Sequence, residues 1–216
     1  MPSDISHLGQ RFITVEGIEG VGKSTNMAFI SAWLEERGQR VTVTREPGGT
    51  PAAEAIRRLV LDTGRDQIPD QSELLLMFAA RAAHLQALIV PALEAGDFVL
   101  CDRFTDASYA YQGYGRGLSL EAIATLETLV QGDLRPQLTI LLDGSFELSV
   151  ARRAERTETD RFEQEQLAFF ERVRSGYLAI AAEHPGRVKR VAAEQSLAEV
   201  QRNIASVLTA SYPEFG

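Results

Sequence analysis

The stretch Gly17-Ile18-Glu19-Gly20-Val21-Gly22-Lys23-Ser24, with Thr25 after it, carries the plainest chemical signal in the chain. Its spacing is G-x-x-x-x-G-K-S. Glycines let a backbone wrap closely enough for successive amides to point at phosphate oxygens. Lys23 can then reach the β- and γ-phosphates, and Ser24 can bind magnesium. A following helix would add the positive end of its dipole. The motif implies a nucleoside triphosphate with Mg2+, but not what is done with them. One residue sits awkwardly: Glu19 places a carboxylate inside an anion cradle.

Three further residues fall where strands should end. Asp102 closes the apolar run "DFVLCD" and is followed by Arg103; Arg45 closes "RVTVTR". Ligands gather at the carboxyl ends of strands in an open parallel sheet. Asp102 is therefore the better metal candidate. An acid for magnesium beside a base for phosphate suits two phosphate-bearing molecules. Asp143 ends "LTILLD", but glycine follows it where a motor ATPase would have a second acid, so it stays unassigned. The "TREPGGT" segment after Arg45 also reads as a tight turn before Pro51. Asn26 and Asn203 are the only asparagines and neither precedes a lysine, which excludes the guanine-reading segment of switch GTPases.

Five apolar runs must position these groups: residues 11–16, 40–45, 97–102, 138–143 and 187–192. Helical patterns lie between them. One spans Ser24 to Arg37, with Gly38 as its stop. Another opens at Pro51 after Thr50, and a longer one covers about Gln71 to Ala95. Ser119 caps a helix ending at Gly132, and "SLAE" (196–199) is a capping box for the last. Alternating strands and helices predict an α/β fold with a five-stranded parallel sheet flanked by helices. Residues 1–10 read as an N-terminal tail and 11–216 as a single domain. The charged stretch "RRAERTETDRFEQE" (152–165) reads as a solvated helix face or as a mobile lid carrying arginines. Charge alone favours the solvated face.

Composition narrows the class. The chain has 216 residues, 44% of them hydrophobic, and a formal net charge of -8. Polyanion binding rests on phosphate neutralisation, so binding to nucleic acid polymers is not expected. No run looks long and apolar enough to span a bilayer. Cys101 is the only cysteine, which suits a reducing cytoplasm. Lys23 and Lys189 are the only lysines, so arginine forks carry the remaining positive charge. His7, His84 and His184 lie apart and form no metal pattern.

Taken with the phosphate loop, "TREPGGT", "AAR" with Arg81, "DRF" followed by "SYAYQGYGRG", and "DRFEQE" resemble bacterial thymidylate kinase. The likeness runs from about Phe12 to the last helix. It implies a P-loop kinase fold with a mobile lid near 145–163, and the reaction ATP + dTMP → ADP + dTDP in dTTP biosynthesis. It also implies magnesium and a homodimer.

Carried over residue by residue, the resemblance gives Lys23 and the loop residues Gly17 to Thr25 to ATP, and Ser24 and Asp102 to the metal. Arg45 and Arg103 would hold the dTMP phosphate, with Arg57 on the same side. Arg81, Gln112 and Ser108 would lie near thymine, and Tyr111 would pack on the deoxyribose, leaving no room for a 2′-hydroxyl. Residues 191–195 would flank adenine. Glu19 would accept a hydrogen bond from the sugar 3′-hydroxyl, aided by Glu163. Family members commonly stack a phenylalanine four residues before the Arg81 position; here Met77 stands there and Phe78 follows. Spacing of four shares a helix face, which aims Met77 better; either can face the base, and Met77 also reads as core filler.

The loop has Gly20 after its acid, so the resemblance moves the neutralising arginines to the lid. Arg152, Arg156 and Arg161 align best for that work, and Arg153 reads as a surface residue.

Overall fold

The computed structural model describes residues 6–61, 68–147 and 161–215. Five parallel strands form one sheet: β1 (Phe12–Glu16), β2 (Val41–Arg45), β3 (Phe98–Asp102), β4 (Leu138–Asp143) and β5 (Val188–Ala192). Their order is β2-β3-β1-β4-β5. The central strands β1 and β4 are buried along their whole length. That is why each reads as a continuous apolar run rather than an alternation. Register brings Arg45 of β2 and Val15 of β1 to either side of Asp102.

Helix α1 (Lys23–Glu35) leaves the phosphate loop, and α2 (Pro51–Leu61) follows β2. Helix α3 (Asp70–Glu94) contains a π-helical turn at Leu85–Ile89. After β3 come α4 (Thr105–Ser108), a π-helical stretch at Tyr109–Gly115, and α5 (Leu120–Gln131). Helix α6 (Arg161–Glu183) precedes β5, and α7 (Leu197–Ser211) follows it. Ser119 caps α5 by accepting from the Ala122 amide, and Ser196 and Glu199 form the expected capping box. The segment read as a tail ends in a 3₁₀ helix, Ser6–Arg11, with Leu8 packed against the core.

One face of the sheet is covered by α1, α6 and α7, around Ile13, Ile30, Leu34, Ile140, Val173 and Ile204. The other face packs Phe12, Val99, Cys101 and Phe104 against Leu85, Ile89 and Leu93 of α3. Cys101 is fully buried in β3, and its thiol donates to the Arg103 carbonyl at 3.0 Å. Burial pushes that thiol well above its ordinary range.

One expectation is corrected. Helix α3, at 25 residues, is long and apolar enough to cross a membrane by length and composition. It reads as a core helix because its middle carries Arg81 and His84, both buried and both paired with Glu46.

Candidate active site

The phosphate loop is a strand-to-helix turn built on left-handed glycines. Gly17 has φ 134°, and a Cβ there would lie 2.5 Å from the Leu142 carbonyl oxygen. Gly22, the N-cap of α1, has φ 99°. Side chains rarely adopt these angles, so the glycines let the loop curl back over the strand ends. Lys23 is folded inside this curl and donates to the carbonyls of Gly17 at 3.0 Å and Ile18 at 2.9 Å. Burial and the Arg103 charge lower its pKa to about 8, against the opposing pull of Asp102, Glu19 and Glu16.

Ser24 and Asp102 line one cavity of about 950 Å³, together with Arg45, Gly49 and Glu54. Asp102 Oδ1 is buried without a hydrogen-bond partner. A hydroxyl and one unpaired carboxylate oxygen fit magnesium, which keeps most of its waters and takes few protein ligands. Among the described residues no group of three or more His, Cys, Asp or Glu stands ready for a metal. Arg45 projects from its strand end, as expected, and pairs with Glu54 at 3.0 Å. Arg57 donates to the Pro47 carbonyl at 2.7 Å.

Glu19 reaches toward the residue after β3, while its carboxylate also takes a hydrogen bond from its own loop amide. Its Oε1 lies 2.8 Å from Arg103 Nη2, and its Oε2 accepts from the Tyr111 hydroxyl at 2.8 Å. Burial alone would raise the Glu19 carboxyl, but Arg103 and Tyr111 outweigh it and hold it below the ordinary range. Arg103 also contacts the Tyr111 hydroxyl directly, at 2.9 Å. Burial works against its charge, yet Tyr111 and Glu19 keep its pKa above normal. Arg103 Nε has no hydrogen-bond partner.

A second buried network holds Arg81. Its Nε donates to Glu46 Oε2 at 2.7 Å, and its Nη2 to Ser108 Oγ at 3.0 Å and the Phe104 carbonyl at 3.2 Å. Its Nη1 has no partner. His84 completes the network between Glu46, at 3.1 Å, and Thr44, at 2.7 Å. Gln112 donates to Glu73 Oε1 at 2.9 Å, while its own Oε1 is unpartnered. Arg116 grips the same Glu73 with two nitrogens.

Phe78 is buried with Leu74 and Ile123, its ring beneath the Arg81 guanidinium at 4.6 Å. Met77 is only half-buried.

Asp143 is committed elsewhere. It accepts from Arg174 at 2.6 Å and from Arg190 at 2.7 Å. Burial opposes its ionisation, but these bonds lower its pKa. In the 191–195 segment the Ala193 amide donates to the Asp143 carbonyl at 2.8 Å, and Glu194 accepts from the Ser145 amide at 3.3 Å. Arg152, Arg153 and Arg156 lie outside the described residues, as do the side chains of Arg161 and Glu163.

Several residues of the site's networks are not singled out by the sequence, among them Glu46, Glu73, Glu54, Arg116, and Glu16, which accepts from the Tyr177 hydroxyl at 2.7 Å. Glu73 had a readable signal, since Glu73, Met77 and Arg81 recur every four residues on one helix face. Glu16 and Glu46 lie inside motifs, next to Gly17 and Arg45. Tyr177 had no local signal; only the fold brings it to Glu16.

Comparison with known proteins places the chain's sequence and fold. The sequence profile of the thymidylate kinase family matches residues 15–204. The thymidylate kinase of Teredinibacter turnerae is 56% identical over 200 residues, spanning 93% of this chain and 98% of that one. That of Chromohalobacter salexigens is 58% identical over 202 residues, 92% of this chain and 95% of the relative. The crystal structure of thymidylate kinase from Ehrlichia chaffeensis superposes with a TM-score of 0.76 at 34% identity, covering 93% of this chain and 99% of that one.

Proposed function

The chain belongs to the thymidylate kinase family and is a kinase that phosphorylates dTMP, and we propose that it moves the γ-phosphoryl group of ATP across a two-sided phosphate loop. On the donor side, the loop amides of Gly17 to Thr25 and Lys23 hold the ATP phosphates. Ser24 and Asp102 hold Mg2+, which supplies charge neutralisation at those phosphates. On the acceptor side, Arg103 and Arg45 hold the dTMP phosphate, with Arg57 nearby. Glu19 accepts from the 3′-hydroxyl and Tyr111 packs on the sugar. Arg81, Ser108 and Gln112 read the base, and Met77 lies on its face while Phe78 backs Arg81.

The observation that carries this reading concerns four atoms: Asp102 Oδ1, Arg103 Nε, Arg81 Nη1 and Gln112 Oε1 are buried and lack hydrogen-bond partners. Buried polar atoms are ordinarily satisfied. These are four of seven such atoms among the described residues, and all four belong to residues assigned to a substrate or its metal; the other three are on Asn26, Asp97 and Tyr212. The acceptor phosphate is already ionised, so no general base is required. Catalysis is positioning plus electrostatics. Arg152, Arg156 and Arg161 of the lid, with Glu163, complete the site on closure.

A homodimer and a cytoplasmic setting belong to the same proposal. Helices α3 and α5 pack together and expose Leu75, Leu120 and Leu129, the last 79% exposed. Sedimentation should therefore give twice the chain mass. The substrate reading is tested by assaying dTMP, dUMP, UMP, CMP and AMP with ATP and Mg2+. Clear preference for dTMP, with dTDP as product, is expected; comparable turnover of another monophosphate would overturn the base and sugar assignments.

A further inference from the structure

Glu16 is the last residue of β1, fully buried, and takes no part in the substrate contacts assigned above. Both of its oxygens are engaged. Oε1 accepts from the Phe104 amide at 2.7 Å, and Oε2 accepts from the Tyr177 hydroxyl at 2.7 Å. The neighbouring residue on β1 takes the next amide: Arg103 N–H donates to the Val15 carbonyl at 3.0 Å. Two consecutive residues of β1 thus hold two consecutive amides after β3.

The residue so held is unusual. Among the described residues Arg103 is the only non-glycine with positive φ, at 68°. Left-handed backbone is unfavourable for a side chain, and persists where surroundings over-determine it. It also decides where the guanidinium goes. With this turn Arg103 doubles back over the loop to Glu19, Tyr111 and the Gly17 carbonyl.

Tyr177 extends the arrangement to a third element. It lies on α6, the helix that begins at Arg161, and its ring meets the Tyr111 ring edge-on at 6.3 Å. Tyr111 in turn touches Arg103. A single carboxyl group therefore joins the strand before the phosphate loop, the backbone of Arg103, and the helix after the lid.

We propose that Glu16 is a positioning residue that fixes the left-handed turn at Arg103, and so aims its guanidinium, by holding the Phe104 amide and the Tyr177 hydroxyl together. The proposal rests on the reading of Arg103 as the acceptor-phosphate arginine. It does not require Glu16 to be charged. Burial, then the charge of Asp106, push its pKa up to about 8. The protonated acid, like glutamine, keeps one oxygen to accept from the Phe104 amide and donates with the other position to the Tyr177 oxygen, so the link is kept with that bond reversed.

The test is a kinetic double-mutant cycle on the full chain with ATP, Mg2+ and dTMP. Glu16→Ala is expected to lower kcat/KM for dTMP by on the order of 10–100-fold, with KM for ATP nearly unchanged. Glu16→Gln keeps an acceptor for the Phe104 amide and should stay within roughly fivefold of the parent. In an Arg103→Ala background, Glu16→Ala should cost less than about threefold more, because its effect runs through Arg103. The same fold-loss in both backgrounds overturns the proposal. So does a Glu16→Gln variant as damaged as Glu16→Ala, since charge would then matter rather than geometry. If Arg103→Ala alone leaves kcat/KM for dTMP unchanged, the reading of Arg103 falls, and the proposal with it. Should Glu16→Ala show no cooperative thermal transition, Tyr177→Phe replaces it in the cycle. Non-additivity with Arg103→Ala then supports the proposal, and additivity overturns it.

Discussion

Arg81 and Glu46 form an ion pair at 2.7 Å, with side chains 1% and 3% exposed, between the middle of α3 and the turn after β2. The pair fixes the arginine assigned to the base from beneath, while its Nη1 remains unbonded.

Removing one partner of a buried pair leaves an uncompensated charge. Glu46→Ala should therefore destabilise the fold by about 3–5 kcal/mol in urea unfolding. A loss below about 1 kcal/mol would mean that the pair behaves like an exposed one.

Glu19→Gln tests the acceptor side of the loop. It weakens the pairing with Arg103 and the acceptor for the 3′-hydroxyl, and leaves the amide cradle intact. Calorimetry should show weaker dTMP binding and near-parental ATP binding. Equal loss for both nucleotides would return Glu19 to the donor side.

In the proposed function Tyr111 packs on the sugar, and discrimination against ribose would rest on its ring. Its hydroxyl is tied to Glu19 and Arg103, so its ring is held in place. Tyr111→Ala should raise the UMP/dTMP ratio of kcat/KM. An unchanged ratio would remove the ring from that role.

In the proposed function Arg152, Arg156 and Arg161 would act on turnover rather than on affinity. Arg156→Ala or Arg161→Ala should lower kcat by on the order of 10³-fold if that residue neutralises the moving phosphoryl group. Unchanged kcat in both variants would dismiss a lid-based mechanism.

With Lys23 holding the ATP phosphates as proposed, ATP binding should depend on pH in a definite direction. Its pKa in the free protein is lowered from 10.5 to about 8. Phosphates favour the ammonium form and raise that pKa again. Binding must therefore take up protons near and above pH 8, and almost none at pH 6, where Lys23 is already charged. Calorimetry at pH 8 in two buffers of different ionisation enthalpy reads this directly. Buffer-independent heats at pH 8, or proton release, would contradict it.

Strands β1, β3 and β4 were legible because central strands of a parallel sheet are buried on both faces, and the edge strands β2 and β5, only partly buried, from their β-branched residues. All five began within one residue of their apolar runs. The helix caps at Ser119 and Ser196 were equally plain, being local chemistry. Contacts made by the crossover order were not legible. Glu46 meets Arg81 across 35 positions, and Glu16 meets Tyr177 across 161. No local pattern encodes such pairings. For Met77 against Phe78, four-residue spacing favours Met77 in the sequence; what the spacing could not give is that Phe78 is buried with its ring by the Arg81 guanidinium while Met77 is half-buried.

The placement of Cys101 has a practical consequence. Oxidants and alkylating reagents attack thiolates that solvent can reach. The chain's only thiol is sealed inside β3, with its proton held tightly. Any cysteine introduced on the surface is thus the sole reactive handle. Cysteines introduced at position 156 and on α7 could be labelled with a dye pair with no native cysteine to remove first, and energy transfer between them would show whether the proposed lid closes.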